Sequence, residues 1–187
     1  DASEWLNKCL HWKNFFSVVE PHFTNSEKID LYEFVNTLSN TLPDNCSLVT
    51  DSGFIEVILP TNFNFGNGQR SIHPFSQGSM GFALPGSLGA YYASNEPVFV
   101  IVGDGSIMMN LQELQTISHN KIPIKIIIIN NNVYGIIRRR QEELFRGRTI
   151  GTDPANGVSC PDFKKVAHAF GFKYQSIVEK IELETSL

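Results

Sequence analysis

The sequence predicts an α/β domain of three layers, α/β/α, around a mainly parallel central sheet. Two observations carry this expectation. Val98-Phe99-Val100-Ile101-Val102 and Ile124-Lys125-Ile126-Ile127-Ile128-Ile129 are strand-length apolar runs, the pattern of strands covered on both faces. Segments with helical spacing lie between and around them, and strand alternating with helix implies crossover connections and parallel pairing.

The elements follow in chain order. Residues 1–25 read as a lead-in helix and linker, with aromatic patches at Trp5 and at Trp12, Phe15 and Phe16 expected to pack on the core. The main domain is expected over 26–187. Ser26 to Asn40 carries Ile29, Leu31, Phe34, Val35 and Leu38 near helical spacing, and Pro43-Asp44-Asn45 makes a turn. Ser47 to Thr50 is a short strand ending at Asp51-Ser52-Gly53. Phe54 to Leu59 is apolar and of open type, and a loop rich in Asn, Gly and Phe runs on to Phe75. A helix is expected from Gly81 to Ser94, with Pro85 in its first part, where a missing N–H is tolerated. After the strand at 98–102, Asn110 with Glu113 forms an N-x-x-E capping pattern for a helix to Asn120, with Leu111, Leu114 and Ile117 on one face. Beyond the strand at 124–129, a helix from Tyr134 to Phe145 leads to a loop over 146–159. Pro161 starts a further helix that Gly171 stops, and Lys173 to Val178 alternates as a last strand.

Composition excludes several classes. With 187 residues the chain is long enough to bury a real core, and 42% hydrophobic against 18% charged residues marks a globular protein. A net charge of −4 with no long basic stripe argues against nucleic acid. The longest apolar runs are too short to span a membrane. Cys9, Cys46 and Cys160 form no CxxC pair and no even framework, so a reducing cytoplasm is the expected setting. The chain opens without Met or a signal peptide and stops in a charged helix-like stretch, which reads as a piece of a longer polypeptide.

The chemistry sits where the strands end. Gly103-Asp104-Gly105-Ser106 closes one strand, and Asn130-Asn131 closes the next, 24 residues later (positions 106 to 129). Parallel strands deliver both to one sheet edge, where open α/β sheets bind ligands. A carboxylate and a carboxamide suit a hard cation such as Mg²⁺, which completes its shell with phosphate oxygens. Flanking glycines let backbone N–H groups approach a diphosphate, and Ser106 can donate to it. A dinucleotide fingerprint would need G-x-G-x-x-G, which 103–108 (GDGSIM) lacks. On these residues alone, a plain turn at Asp104 or at Asn130-Asn131-Asn132 stays open.

The GDG-x24-NN pattern resembles the signature of thiamine diphosphate enzymes. Gly78-Ser79-Met80-Gly81-Phe82-Ala83-Leu84-Pro85-Gly86 is similar to their G-x-M-G-x-x-L-P segment, and Asn110 to Thr116 to the N-x-Q-E-L-x-T of acetolactate synthases. The resemblance covers roughly Ser47 to Ile177. It implies the C-terminal pyrophosphate-binding domain of an acetolactate synthase-like or 2-oxoacid decarboxylase enzyme, a transferase or lyase using thiamine diphosphate and Mg²⁺. It further implies that Asp104, Asn131 and the Val133 carbonyl hold the metal. Gly103, Gly105, Ser106, Tyr134 and Gly135 would hold the diphosphate, with weaker backbone contacts from Ser52 and Gly53. Gly78, Ser79 and Met80 would hold the pyrimidine end, Met80 propping the cofactor bent so that its own amino group reaches the carbon it must deprotonate.

Two departures from the synthase pattern concern binding and specificity. Phe54-Ile55 replace a Gln-His pair that touches the diphosphate, and Arg140 stands where a Trp shapes the acceptor pocket. Arg140, with Ile136, is therefore the expected substrate contact, selecting a carboxylate or phosphate through paired hydrogen bonds. No catalytic residue is expected in this chain. The activating Glu belongs to a pyrimidine-binding domain elsewhere in the polypeptide, and Glu56 and Glu113 do not match its context. The isolated domain is expected to be inactive, and the whole enzyme a homodimer or homotetramer acting on a small 2-oxoacid. Two other readings stand beside this one: a non-catalytic regulatory relative, and an α/β domain for another diphosphate or nucleotide.

Overall fold

Four short strands form one all-parallel sheet, ordered β2-β1-β3-β4, with the buried β1 and β3 at its centre. The computed structural model describes residues 2–17, 19–25 and 27–186. The strands are β1 (Ser47–Thr50), β2 (Arg70–Ile72), β3 (Val98–Gly103) and β4 (Ile124–Ile129). The helices are α1 (Ala2–Phe15), α2 (Pro21–Thr24), α3 (Leu31–Thr41), α4 (Phe54–Asn62), α5 (Ala83–Ser94), α6 (Asp104–Ile107), α7 (Glu113–His119), α8 (Gly135–Leu144), α9 (Phe163–Ala169) and α10 (Leu183–Ser186).

Period-two alternation divides the sheet's side chains between two cores. Leu48, Phe99 and Ile101 pack under α3 and α4 with Phe34, Val35, Leu38, Ile55 and Leu59. Val49, Val98, Val100 and Val102 pack on the other face with Ala83, Leu84, Leu114, Ile117 and Phe163 from α5, α7 and α9. The expected three layers are present. Asp30 starts α3 by accepting from Tyr32 N, and Asp162 starts α9 by accepting from Lys164 N and Lys165 N. Gly171, at φ +81, ends the α9 turn, as expected from its position.

Strand order places the site. The chain goes from β1 outward to β2, then returns across β1 to β3 and on to β4. The direction reverses between β1 and β3, and the crevice at such a reversal is where these sheets take ligands. Register pairs Thr50 with Ile101 and Gly103 with Ile129, so Asp51, Asp104 and Asn130 leave the sheet at one edge.

Several expectations change. The apolar run after Gly53 is helix α4, and it tolerates Pro60 near its end. Strand β2 lies inside the expected loop; three residues are too few to show a period in sequence. Helix α5 begins at Ala83 rather than Gly81, because Gly81 takes a positive φ. Asn110 does not cap the following helix: it closes a 3-10 turn, its side chain donates to Gly81 O, and α7 starts at Glu113. Lys173–Val178 is not a strand; the sheet ends at β4, and the segment runs as irregular chain. Helix α1 buries none of its residues, so the aromatic patches expected on the core face solvent in this chain. Ser26, the expected start of the helix now seen as α3, lies outside the described residues. Among the described residues no helix is long and apolar enough to cross a membrane.

Candidate functional site

Strand β3 runs without a loop into α6, which buries Asp104 at 2% exposure directly beyond the strand end. Its Oδ1 accepts from Gly105 N at 2.7 Å, and its Oδ2 accepts from Asn132 N at 2.5 Å. The second bond joins the two motifs, GDG and NN, across 28 residues of sequence. Asn131 Oδ1 accepts from Val133 N at 3.1 Å, and Asn132 takes a left-handed φ of +56, which turns the chain around Asp104. Ser106 Oγ reaches Ser52 O at 3.5 Å, tying the ends of β3 and β1 across the reversal point. Cys160 packs nearby; burial pushes its thiol up, and the charge and hydrogen bond of Asp104 push the same way.

Gly105 has no room for a side chain. A Cβ there would stand 1.9 Å from Tyr134 Cε1, so the tyrosine ring lies flush on the backbone of the turn. Tyr134 is held in turn by its N–H, which donates to Thr152 O at 2.8 Å. The 149–158 loop is thereby drawn to this end of α8, where Arg138 also pairs with Asp153 at 2.9 Å.

The second pole of the site is Gly78, at φ +55, whose N–H donates to Pro74 O at 2.7 Å. A Cβ on Gly78 would lie 3.7 Å from Glu56 Oε2 and 3.9 Å from Ser52 Oγ, which sets the Glu56 carboxylate beside this segment. Asp51 is fully buried and lies between the poles. Its carboxylate accepts from the N–H groups of Ser52, Gly81, Phe82 and Ala83. Burial pushes its carboxyl above the usual carboxylate range, against the opposing pull of those four donors.

A cleft of about 230 Å³ joins both poles. Its walls include Ser52, Gly53, Gly78, Met80, Gly103 to Ser106, Asn131 and Val133 to Ile136. Two expected residues lie off these walls: Ser79 and Arg140 are both exposed. Arg140 is one helical turn beyond Ile136 on α8. Five wall residues were not expected: Leu31, Phe54, Ile55, Ile129 and Ile137. Phe54 and Ile55 carried a signal, as apolar residues directly after the Asp-Ser-Gly turn. Leu31 carried none, because only the packing of α3 brings it there. A second cleft, of about 310 Å³, is lined by Glu33, Thr37, Lys180, Ile181, Leu183 and Glu184 and shares no residue with the first.

The donor set is of one kind. Asp104, the Asn131 amide and the Val133 carbonyl offer hard oxygen, whereas no cluster of three or more His, Cys, Asp or Glu suited to a metal occurs among the described residues. That chemistry fits Mg²⁺ with phosphate oxygens and disfavours a soft metal. Gly105 and the left-handed Gly78 line the two ends of the cleft and put no side chain of their own into it, as an elongated ligand requires.

Comparison with known families identifies the domain. The family model described as the C-terminal TPP binding domain of thiamine pyrophosphate enzymes matches residues 51–187. The chain belongs to the thiamine pyrophosphate enzymes. Among its relatives, the acetolactate synthase large subunit of Buchnera aphidicola subsp. Schlechtendalia chinensis is 33% identical over 186 residues, 98% of this chain and 31% of the relative. Acetolactate synthase isozyme 2 large subunit of Escherichia coli (strain K12) is 35% identical over 151 residues, 80% of this chain and 27% of the relative. Isozyme 3 from the same organism is 32% identical over 188 residues, 100% of this chain and 32% of the relative. The chain thus spans less than a third of the length of these relatives and is a TPP-binding domain similar to theirs. Asp51, which opens the matched span, is also the first residue of the cleft's framework.

Proposed function

We propose that this chain binds thiamine diphosphate and Mg²⁺ as the C-terminal domain of an acetolactate synthase-like enzyme acting on a 2-oxoacid. The supporting observation is the Asp104–Asn132 hydrogen bond, which gathers the Asp-Gly turn and the Asn-Asn turn at the sheet's reversal point. In this reading Asp104, Asn131 and the Val133 carbonyl hold the metal. Gly105 and Ser106 hold the diphosphate with support from Ser52 and Gly53, and Gly78 and Met80 hold the pyrimidine end. The chemistry the cofactor supplies when bound is an electron sink, through which a 2-oxoacid loses CO₂ and the remaining carbanion is protonated or joined to an acceptor carbonyl. The apolar wall of Leu31, Phe54, Ile129, Ile136 and Ile137 excludes water from the space beside these residues.

The rest of the polypeptide supplies the activating Glu and completes the site, between subunits of a homodimer or homotetramer. Arg140 extends past the apolar wall and selects an anionic acceptor. Calorimetry on the whole polypeptide with thiamine diphosphate and Mg²⁺ tests the central claim. Binding is expected, and Asp104→Ala weakens it by at least about tenfold, the loss of one charge-assisted contact. No heat with thiamine diphosphate but clear binding of a nucleotide would sink the proposal.

A further inference from the structure

Gly81 is gripped from both sides. Its N–H donates to Asp51 Oδ2 at 3.0 Å, and its carbonyl accepts from Asn110 Nδ2 at 2.7 Å. The grip extends along the chain, since the same Asp51 carboxylate accepts from Ala83 N at 3.2 Å and Phe82 N at 3.4 Å. Space around Gly81 is closed as well. A Cβ would stand 2.6 Å from Met109 Cβ and 2.9 Å from Asn110 Nδ2, and the residue sits at φ +84. Only glycine satisfies both conditions.

The two jaws are rooted on the diphosphate side of the cleft. Asp51 immediately precedes Ser52-Gly53 at the end of β1, and Asp51 Oδ1 accepts from Ser52 N at 2.9 Å. Asn110 ends the 3-10 turn that continues α6, the helix carrying Asp104 and Ser106. Gly81 directly follows Met80. The separation between the Gly78–Met80 pole and the Asp104–Ser106 pole is therefore carried by these contacts rather than by the exposed residues 75–77.

We propose that Asp51 and Asn110 act as a clamp on Gly81 that fixes the spacing of the two poles and would so position a cofactor that touches both. They are positioning residues, because neither lines the cleft. The inference rests on the functional reading above. Its physical content is that loosening the clamp penalises only a ligand that touches both poles. Thiamine diphosphate spans both; inorganic pyrophosphate reaches the Asp104–Ser106 pole alone.

The experiment compares those two ligands, each with Mg²⁺, by calorimetry on the whole polypeptide as wild type, Asn110→Ala and Asp51→Asn. Asn110→Ala removes one donor from a half-buried position; Asp51→Asn replaces one acceptor oxygen with an NH2 donor that faces backbone N–H groups. Each variant is expected to bind thiamine diphosphate about tenfold more weakly while pyrophosphate stays within about twofold. Equal weakening of both ligands, or of neither, overturns the clamp. If Asp51→Asn does not fold, Asn110→Ala decides alone. Wild type that binds pyrophosphate but not thiamine diphosphate overturns the functional reading and the clamp with it. Wild type that binds both, with unaffected variants, overturns the clamp only.

Discussion

Substituting Gly105 with Ala puts a methyl group into the Tyr134 ring. The new Cβ would lie 1.9 Å from Cε1, 2.7 Å from Cδ1 and 2.9 Å from Cζ, all below any real contact distance. Gly105 is not at a positive φ, so its backbone accepts alanine, and in a helix the change alone favours folding by about 0.5–1 kcal/mol. The cost arises from the ring. Tyr134 cannot retreat as a whole, because its N–H is bonded to Thr152 O, so the side chain must leave its rotamer. Displacing it exposes roughly 50 Å² of apolar surface, about 1.2 kcal/mol, and overpacking in a close-packed site costs about 1–3 kcal/mol. The net expectation is a loss of about 1–4 kcal/mol. Denaturant unfolding of wild type, Gly105→Ala, Tyr134→Ala and the double variant measures it. In the Tyr134→Ala background the glycine substitution is expected to be neutral or stabilising, giving a coupling of at least about 1.5 kcal/mol. Additivity within about 0.5 kcal/mol would refute the packing argument.

Two further outcomes follow from the same framework. Because burial raises the folded-state pKa of Asp51, folded chain holds that proton more tightly than unfolded chain, and the group's stabilising contribution is complete below its unfolded pKa. It is lost as pH rises through the raised value, so the stability gap between wild type and Asp51→Asn is expected to narrow as pH rises above the usual carboxylate range; a gap that widens would show that the four N–H donors outweigh desolvation. Removal of divalent metal by chelation is expected to abolish thiamine diphosphate binding, and calorimetry in the presence of EDTA that still shows binding would contradict the assigned role of Asp104.

The fold's legibility varied with how far each signal had to reach. β3 and β4 stand out in the sequence because strands covered on both faces are unbroken apolar runs, and their polar ends mark the site edge. β2 is invisible because Arg70-Ser71-Ile72 has neither the length nor the composition of a strand and pairs only because β1 offers an edge. Asn110 was legible as a polar residue beside a helix, but local pattern assigned it to its own helix, and its hydrogen bond goes to Gly81 instead. Asp51 followed the same course: it read as a turn residue, and its four bonds include three that cross to residues 81–83. Local spacing finds the groups that would touch a ligand; it misses the groups that hold those in place, since their partners are distant in sequence. The aromatic residues of α1 show the opposite error. Trp5, Trp12 and Phe15 are apolar enough to suggest a core, yet are 70%, 53% and 68% exposed in this chain.

The charge of the cleft explains why the metal should be obligatory. No Lys or Arg lines its walls among the described residues; on α8, Arg138 pairs with Glu142 and Asp153 and Arg139 with Glu143, while Arg140 is exposed and off the walls. Asp104 is meanwhile buried at the centre of the strand-end turn. A diphosphate arriving without a cation would meet a carboxylate at short range with no opposing side-chain charge, and at a few ångströms in a partly buried site that repulsion is on the order of several kcal/mol. Backbone N–H groups at the glycine turns supply partial positive charge, but Gly105 N is already bonded to Asp104. A divalent cation reverses the sign of the interaction, turning Asp104 from an obstacle into the ligand's main attachment. Phe54 and Ile55 on the cleft wall are apolar and add no side-chain donor, which leaves the cation as the main charge that a diphosphate can meet here.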